Sequence, residues 1–440
     1  MKRYALTRIS DDEKREKMTK TVHIQTLRGR VRAISSKSCM HRALISAALS
    51  DGESLLLHTD LCRDTEATLA CLQTLGAGIE RVPEGTKITG MKIEPRVIGE
   101  PLCCGESAST LRFLIPVLAL FGGGKMRGEG RLLDRPISPI AECFAPYGLS
   151  FRREGELLVL SGEVLRAGTF CIAPTVSSQF TSGLLLALPT LKGDSLILPD
   201  GKREGKEVSR PYLSMTREIQ DAFGFQTEET PDGYFVRGGQ RGRARTYTVE
   251  GDWSNAAFFL VAGAIGGECV TVTHLSQPSL QGDSAVMTAL REFGCDCRFE
   301  KGEATAYPSS LRGADIDATD TPDLVPVLSV AAACAEGRSR FFGVGRLRAK
   351  ESDRLRAVIE MLSALGVHAE SDGEILTVDG APHLSGGCVD AYGDHRLAMS
   401  AAIAAVRAEG AVEIIGAESV AKSYPAFFED YASLAVQAEQ

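Results

Sequence analysis

A glycine that opens a strand-like run recurs along this chain at nearly constant spacing. It stands at Gly52 before "ESLLLH", Gly123 before "GKMRG", Gly193 before "DSLILP", Gly267 before "ECVTVT", Gly337 before "RSRFF" and Gly410 before "AVEIIG". Successive intervals are 71, 70, 74, 70 and 73 residues. Self-similarity at one period means that one supersecondary unit is reused, and such a unit buries its apolar face only against its neighbours. The chain therefore reads as six copies of one unit. In the first five copies the strand leads through a polar loop into an amphipathic helix and then a glycine between apolar or aromatic residues: "QTLGAGI", "APYGLSF", "DAFGFQT", "REFGCDC" and "SALGVHA". Strand, helix, strand in each unit makes an α/β chain.

A second helix precedes each marked glycine by about fourteen residues and is small and apolar almost throughout. The expected starts are Ser38, Ser109, Ser178, Ser254, Asp323 and Asp394. Helices that are apolar on every side are buried. Ser and Asp are also ordinary N-caps, so each start has a capping reading beside any functional one. Six buried helices of like polarity would aim six positive dipole ends in a common direction, where free amide groups bind phosphate and carboxylate. Basic residues gather at the same ends, Lys37, Arg42, Arg112 and Arg396, and in the loops after the strands, Arg131, Arg135, Lys350, Arg354 and Lys422. The chain's net charge is −8, so this concentration reads as a cleft for a small polyanion. The same sign argues against a nucleic acid or an anionic membrane as partner, since either needs a broadly basic face.

A chain of 440 residues exceeds one ordinary core, and the glycine- and arginine-rich stretch 236–253 fits a crossover between two domains of three units each. The twelve cysteines form no CxxC pair, which fits a reducing cytoplasm and gives no zinc or dithiol signature. The histidines show no metal spacing, and nothing calls for a metal or an organic cofactor. "DGKREGKEVS" lacks the first glycine of a phosphate loop, because that position is Asp200. No run is long enough to cross a membrane, and residues 1–20 have no secretion-signal core. The stretch "RLRAKESDRLRAVIEML", residues 346–362, stays ambiguous by itself, because its charges sit at the spacing of an ion-paired exposed helix.

Nine motifs in order resolve that ambiguity: "SSKSCMHRAL", "CGESASTLRFL", "GEGRLLDRPI", "VSSQF", "EVSRPY", "TPDLVPVL", "RAKESDRL", "YGDHRLAM" and "AKSYPAFF". On these the chain resembles the EPSP synthase family over nearly its whole length. The resemblance implies a two-domain inside-out α/β barrel, six copies of a βαβαββ unit with three per domain and the active-site cleft between them. The expected boundaries are 35–249 for one domain, 22–34 plus 250–440 for the other, and a charged extension at 1–21. The implied reaction transfers the enolpyruvyl group of phosphoenolpyruvate to the 5-hydroxyl of shikimate 3-phosphate. Carried over by position, the phosphoenolpyruvate contacts are Lys37, Ala108, Arg131, Gln179, Arg354, Arg396 and Lys422. Shikimate 3-phosphate would meet Ser177, Ser178 and Ser209 at its phosphate, Ser38 and Arg42 at its carboxylate, and Asp323 and Lys350 at its hydroxyls, with Gln179 a further contact. Asp323 and Glu351 become the proton carriers, Lys37 and Lys422 stabilise charge on the leaving phosphate, and Asp353 positions a neighbouring cation. The expected protein is a cytoplasmic monomer with no cofactor and two small-molecule substrates.

Three positions depart from the family's usual pattern. Ala108 stands where most members have glycine, close to bound phosphoenolpyruvate, and implies reduced sensitivity to glyphosate. Glu106 and Arg346 stand where asparagine is common. Two other readings stay open: a UDP-N-acetylglucosamine enolpyruvyl transferase, which shares the fold and donor, and a non-catalytic anion-binding protein. The second predicts loss of the acid/base pair, yet Asp323 and Glu351 are both present.

Overall fold

The computed structural model describes residues 18–173, 177–200 and 210–436. The strand after each marked glycine is the pivot of a sheet: Glu53–Leu57, Gly123–Arg127, Ser195–Pro199, Val270–Thr273, Arg338–Phe342 and Val412–Ile415. Each pivot has one parallel and one antiparallel neighbour. Six equivalent sheets thus answer the six-unit reading of the sequence.

Two parallel neighbours come from far along the chain. Thr246–Thr248 pairs with Leu55–Leu57, and Gly29–Arg32 pairs with Val270–Thr273. The chain crosses between the two groups of units on two adjacent segments: Ser36 N donates to Glu250 O and Asp252 N to Ile34 O, each at 2.8 Å. In the last sheet the antiparallel place beside Val412–Ile415 is taken by Thr19–Val22. Thr19, Lys20 and Thr21 were expected in the charged extension. They form an edge strand instead, because the sixth unit has no hairpin of its own and the N-terminal segment, rich in β-branched residues, fills the gap.

Inside the sheets lie the six apolar helices: α1 (Lys37–Ala48), α2 (Ala108–Ala119), α3 (Ser178–Ala187), α4 (Trp253–Ile265), α5 (Val325–Ala333) and α6 (His395–Ala404). Nearly every residue of these helices is buried, as their all-round apolar character requires. They gather into two hydrophobic cores. One holds α1, α2 and α3 with residues from 39 to 249, and the other holds α4, α5 and α6 with residues 22–33 and 253–434. Among the described residues no helix is long and apolar enough to cross a membrane.

Candidate active site

The helix starts lie slightly off their expected positions, and the offset matters. Ser36, Ser107, Ser177 and Asp252 are the N-caps of α1 to α4, each accepting a backbone N–H from the first turn. Ser38, Ser109 and Ser254 are therefore inside the first turn rather than at the cap, as is Ser178, and their hydroxyls are not needed for capping. Only Asp394 caps its helix as expected, accepting from Arg396 N at 3.0 Å. The first turns of α1, α2, α3 and α6, together with Asp323 just before α5, line one cavity. The start of α4 joins them indirectly: the Asp252 carboxylate also accepts Lys37 N of α1, at 2.9 Å. Convergent helix N-termini make this cavity a place where anions are favoured.

One wall is a buried knot of charge centred on Arg354. Its guanidinium, 1% exposed, donates to Asp323 at 2.6 Å, to Glu351 at 2.6 Å and to Asp394 at 2.8 and 3.2 Å. Asp323 also accepts from Lys350 Nζ at 3.1 Å and from Arg396 at 3.2 Å. Burial pushes the Asp323 pKa up, but Arg396, Lys350 and Arg354 outweigh it and hold the carboxyl well below the usual range. Glu351 follows the same balance: burial raises it, and Arg354, Arg135 and Lys422 pull it well below. Both carboxylates are thus held ionised, which makes them weak bases while those cations stay in place. Glu351 becomes a donor only after its cations are drawn elsewhere. Burial lowers the Lys350 pKa despite Asp323 beside it. The neutral His395 ring is fully buried against this wall, its pKa driven down by burial and by Lys37, and neither ring nitrogen has a hydrogen-bond partner among the described residues.

The opposite wall is built differently. Arg42 donates to Thr216 Oγ1 at 2.7 Å, Ser38 O at 2.8 Å, Tyr212 O at 3.2 Å and Ser182 Oγ at 3.3 Å, all neutral oxygens. Arg112 donates to Gln179 Oε1 at 2.9 Å, Ser177 Oγ at 3.4 Å and Pro136 O at 3.5 Å. Burial lowers both arginines to about 10, with Arg135 adding to the fall at Arg112 and Glu351 opposing it. Gln179 Nε2 in turn donates to Ser109 Oγ at 2.9 Å. Lys37 differs from its neighbours: it donates to Asp64 at 2.9 Å, and although burial opposes its charge, Asp64 leaves its pKa raised.

Of the residues expected at the site, Lys37, Ser38, Arg42, Ala108, Ser177, Ser178, Gln179, Asp323, Lys350, Glu351, Arg354 and Arg396 line the cavity together. Arg131 does not line that cavity and instead borders a second groove with Glu351 and Asp353. Lys422 is buried and points at Glu106, with Nζ 3.1 Å from its carboxylate. Ser209 falls outside the described residues. Asp353, expected to position a cation, has a capping role in the structure. Its carboxylate accepts Arg356 N at 3.2 Å and caps the helix Arg354–Ala364, so the cap role wins at a position preceding a helical run.

A family model described as EPSP synthase (3-phosphoshikimate 1-carboxyvinyltransferase) matches residues 22–431. The 3-phosphoshikimate 1-carboxyvinyltransferase of Clostridioides difficile is 36% identical over 427 residues, covering 94% of this chain and 96% of that one. The Clostridium perfringens strain SM101 protein of the same name is 38% identical over 413 residues, covering 93% and 96%. The chain belongs to the EPSP synthase family. Among solved structures, EPSP synthase from Acinetobacter baumannii superposes with a TM-score of 0.76 at 25% identity, covering 96% of this chain and 99% of that one. The enolpyruvyl transferase NikO from Streptomyces tendae shares the fold, with a TM-score of 0.74 at 19% identity.

In this member of the EPSP synthase family, sequence reasoning passed over Asp64, Tyr212 and His395 as cavity residues, and saw Asp394 only as a helix start. One signal was available for Asp64. A carboxylate follows the marked glycine by 12, 16 and 14 residues in units one (Asp64), four (Asp283) and five (Glu351), and Asp64 stands in the first turn of the helix Arg63–Thr74. His395 stands within the motif "YGDHRLAM", but its burial follows from packing alone.

Proposed function

We propose that the chain transfers the enolpyruvyl group of phosphoenolpyruvate to the 5-hydroxyl of shikimate 3-phosphate, releasing inorganic phosphate. The observation that carries this reading is the knot itself: two ionised carboxylates, Asp323 and Glu351, bridged by Arg354 inside a cavity ringed by helix N-termini. In the proposed sequence Asp323 takes the hydroxyl proton as the 5-oxygen bonds to the substituted carbon of phosphoenolpyruvate. Glu351, which takes up a proton from solvent once substrate draws its cations away, delivers that proton to the methylene carbon, giving a tetrahedral ketal that carries a methyl group. Glu351, now a carboxylate, removes a proton from that methyl as the carbon–phosphate oxygen bond breaks and the double bond re-forms, and the proton held by Asp323 leaves with the phosphate.

The geometry supports a trigger for the donor step. An incoming trianion competes with Glu351 for Arg354, and both the lost cation and the new negative charge raise the Glu351 pKa toward a value useful for general acid catalysis. Lys37 and Lys422 would then offset charge on the departing phosphate. Arg42, Ser38, Ser177, Ser178, Gln179 and Lys350 would hold shikimate 3-phosphate, with Ser209 joining them. Arg131, Arg354, Arg396 and Gln179 would hold phosphoenolpyruvate against Ala108.

The two cores support the division into domains 35–249 and 22–34 plus 250–440, with the cleft between them. Both walls of the cavity come from one chain, which supports a monomer as the working unit. The cysteines are all unpaired, which supports a reducing, cytoplasmic setting. The test is phosphate release from phosphoenolpyruvate with shikimate 3-phosphate, and with UDP-N-acetylglucosamine in a parallel assay, for wild type and Glu351→Gln. Release with shikimate 3-phosphate alone, lost in the variant, is expected. Release with the nucleotide sugar, or with neither, overturns the reading.

A further inference from the structure

Glu106 lies just before the cap of α2, on the core built from residues 39 to 249, while Lys422 ends the turn Ala417–Lys422 on the other core. The two meet across the cleft. Lys422 Nζ donates to the Glu106 carboxylate at 3.1 Å and to the Glu106 backbone carbonyl at 3.2 Å. Among the described residues Glu106 is the one carboxylate within ion-pair distance of Lys422. The lysine is 6% exposed and the glutamate 48%, so a buried cation is neutralised by a carboxylate that still faces solvent. The glutamate also rests on the loop that carries Arg131: a Cβ on Gly130 would come within 2.6 Å of Glu106 Oε1. Among the cations expected to hold phosphoenolpyruvate, Arg354 and Arg396 are paired by carboxylates of their own core, and Lys37 by Asp64 of its own. Arg135 and Glu351 also pair across the cleft, at 3.4 Å, but both are largely buried, whereas the Lys422 pair is half open to water.

We infer that Glu106 is a built-in competitor for the donor anion, a specificity-determining residue that occupies Lys422 until a stronger anion displaces it. This rests on the enolpyruvyl-transfer reading given above. A half-exposed carboxylate bound through one charge yields to a phosphate dianion, because the exchange restores the carboxylate to water while the buried ammonium gains a doubly charged partner. Weaker anions gain less from the same exchange, so the glutamate raises the threshold an anion must pass. It also acts on the product, since inorganic phosphate leaving the site meets a carboxylate ready to return to Lys422.

Glu106→Gln keeps the shape and an oxygen acceptor for Lys422 but removes the charge, at a half-exposed position where folding is not at stake. Steady-state kinetics of this variant should show KM for phosphoenolpyruvate falling about three- to fivefold, the range open to a half-exposed ion pair. Product inhibition by inorganic phosphate should tighten by a similar factor, and KM for shikimate 3-phosphate should stay within about twofold of wild type. A KM for phosphoenolpyruvate that is unchanged or raised overturns the proposal. So does equal tightening for both substrates, which would indicate a general change in the cleft. Inorganic phosphate binding followed by calorimetry needs no turnover. If wild type proved inactive with shikimate 3-phosphate, tighter phosphate binding by Glu106→Gln would still support the competitor role, and equal binding would reject it.

Discussion

The two walls of the cleft solve the same problem, holding buried arginines, in opposite ways. On the wall from residues 39 to 249, Arg42 and Arg112 are satisfied by hydroxyl, amide and carbonyl oxygens with no carboxylate bonded to either, while Arg135 reaches across to Glu351 at 3.4 Å. On the other wall Arg354 and Arg396 are tied into the carboxylates of Asp323, Glu351 and Asp394. The first arrangement is a preformed anion site, which an arriving anion completes. The second must exchange partners before it can bind anything, and that exchange moves the pKa of the groups released. Under the proposed function the standing charge would hold the phosphate and carboxylate of shikimate 3-phosphate, and the wall that rearranges would carry the proton chemistry.

The most severe break in that contrast is Glu351→Gln. Turnover should fall by about 10²- to 10⁴-fold, the usual worth of a general acid/base, while shikimate 3-phosphate binding measured by calorimetry persists. If binding and turnover fell together, the two walls would not be separable. Next comes Asp394→Ala, which leaves Arg354 without a fully buried partner and removes the α6 cap. Urea unfolding should show a loss of about 3–5 kcal/mol. Arg356, exposed and paired at i,i+4 with Glu360, is the control on the same helix, and Arg356→Ala should leave the midpoint unmoved.

A pH series sharpens the comparison. Asp323 and Glu351 have folded pKa values below their unfolded ones, so their stabilising contribution is complete above the unfolded value near 4 and is lost as pH falls below it. The stability difference between wild type and Glu351→Gln should therefore be constant from about pH 7 to 5 and shrink below about pH 4. A difference that changed between pH 7 and 5 would show that the knot does not hold Glu351 ionised. The smallest effect is at Ala108, the first residue of α2 and 8% exposed at the cavity. Ala108→Gly should tighten glyphosate inhibition by about 1–3 kcal/mol, the cost of one intruding methyl. Equal inhibition of both forms would mean the backbone absorbs it.

Periodicity made the fold legible, because apolar patterning and glycine placement are local consequences of how a strand or a buried helix meets its neighbours. The count of six units, the α/β class, the buried helices and the gathering of cations at their starts all follow from residues close together in the chain. So does the meaning of "KESDR" once the other motifs stand beside it. Tertiary structure alone decided how those charges are partnered. Asp394 reaches Arg354 from 40 positions away and Glu106 reaches Lys422 from 316, and no local pattern encodes such pairs. The same holds for Thr19–Val22, a strand only because Val412–Ile415 offers it an edge. Ionisation at this site is set by burial and by the charges brought within a few ångströms, and both come into being only when the chain is folded.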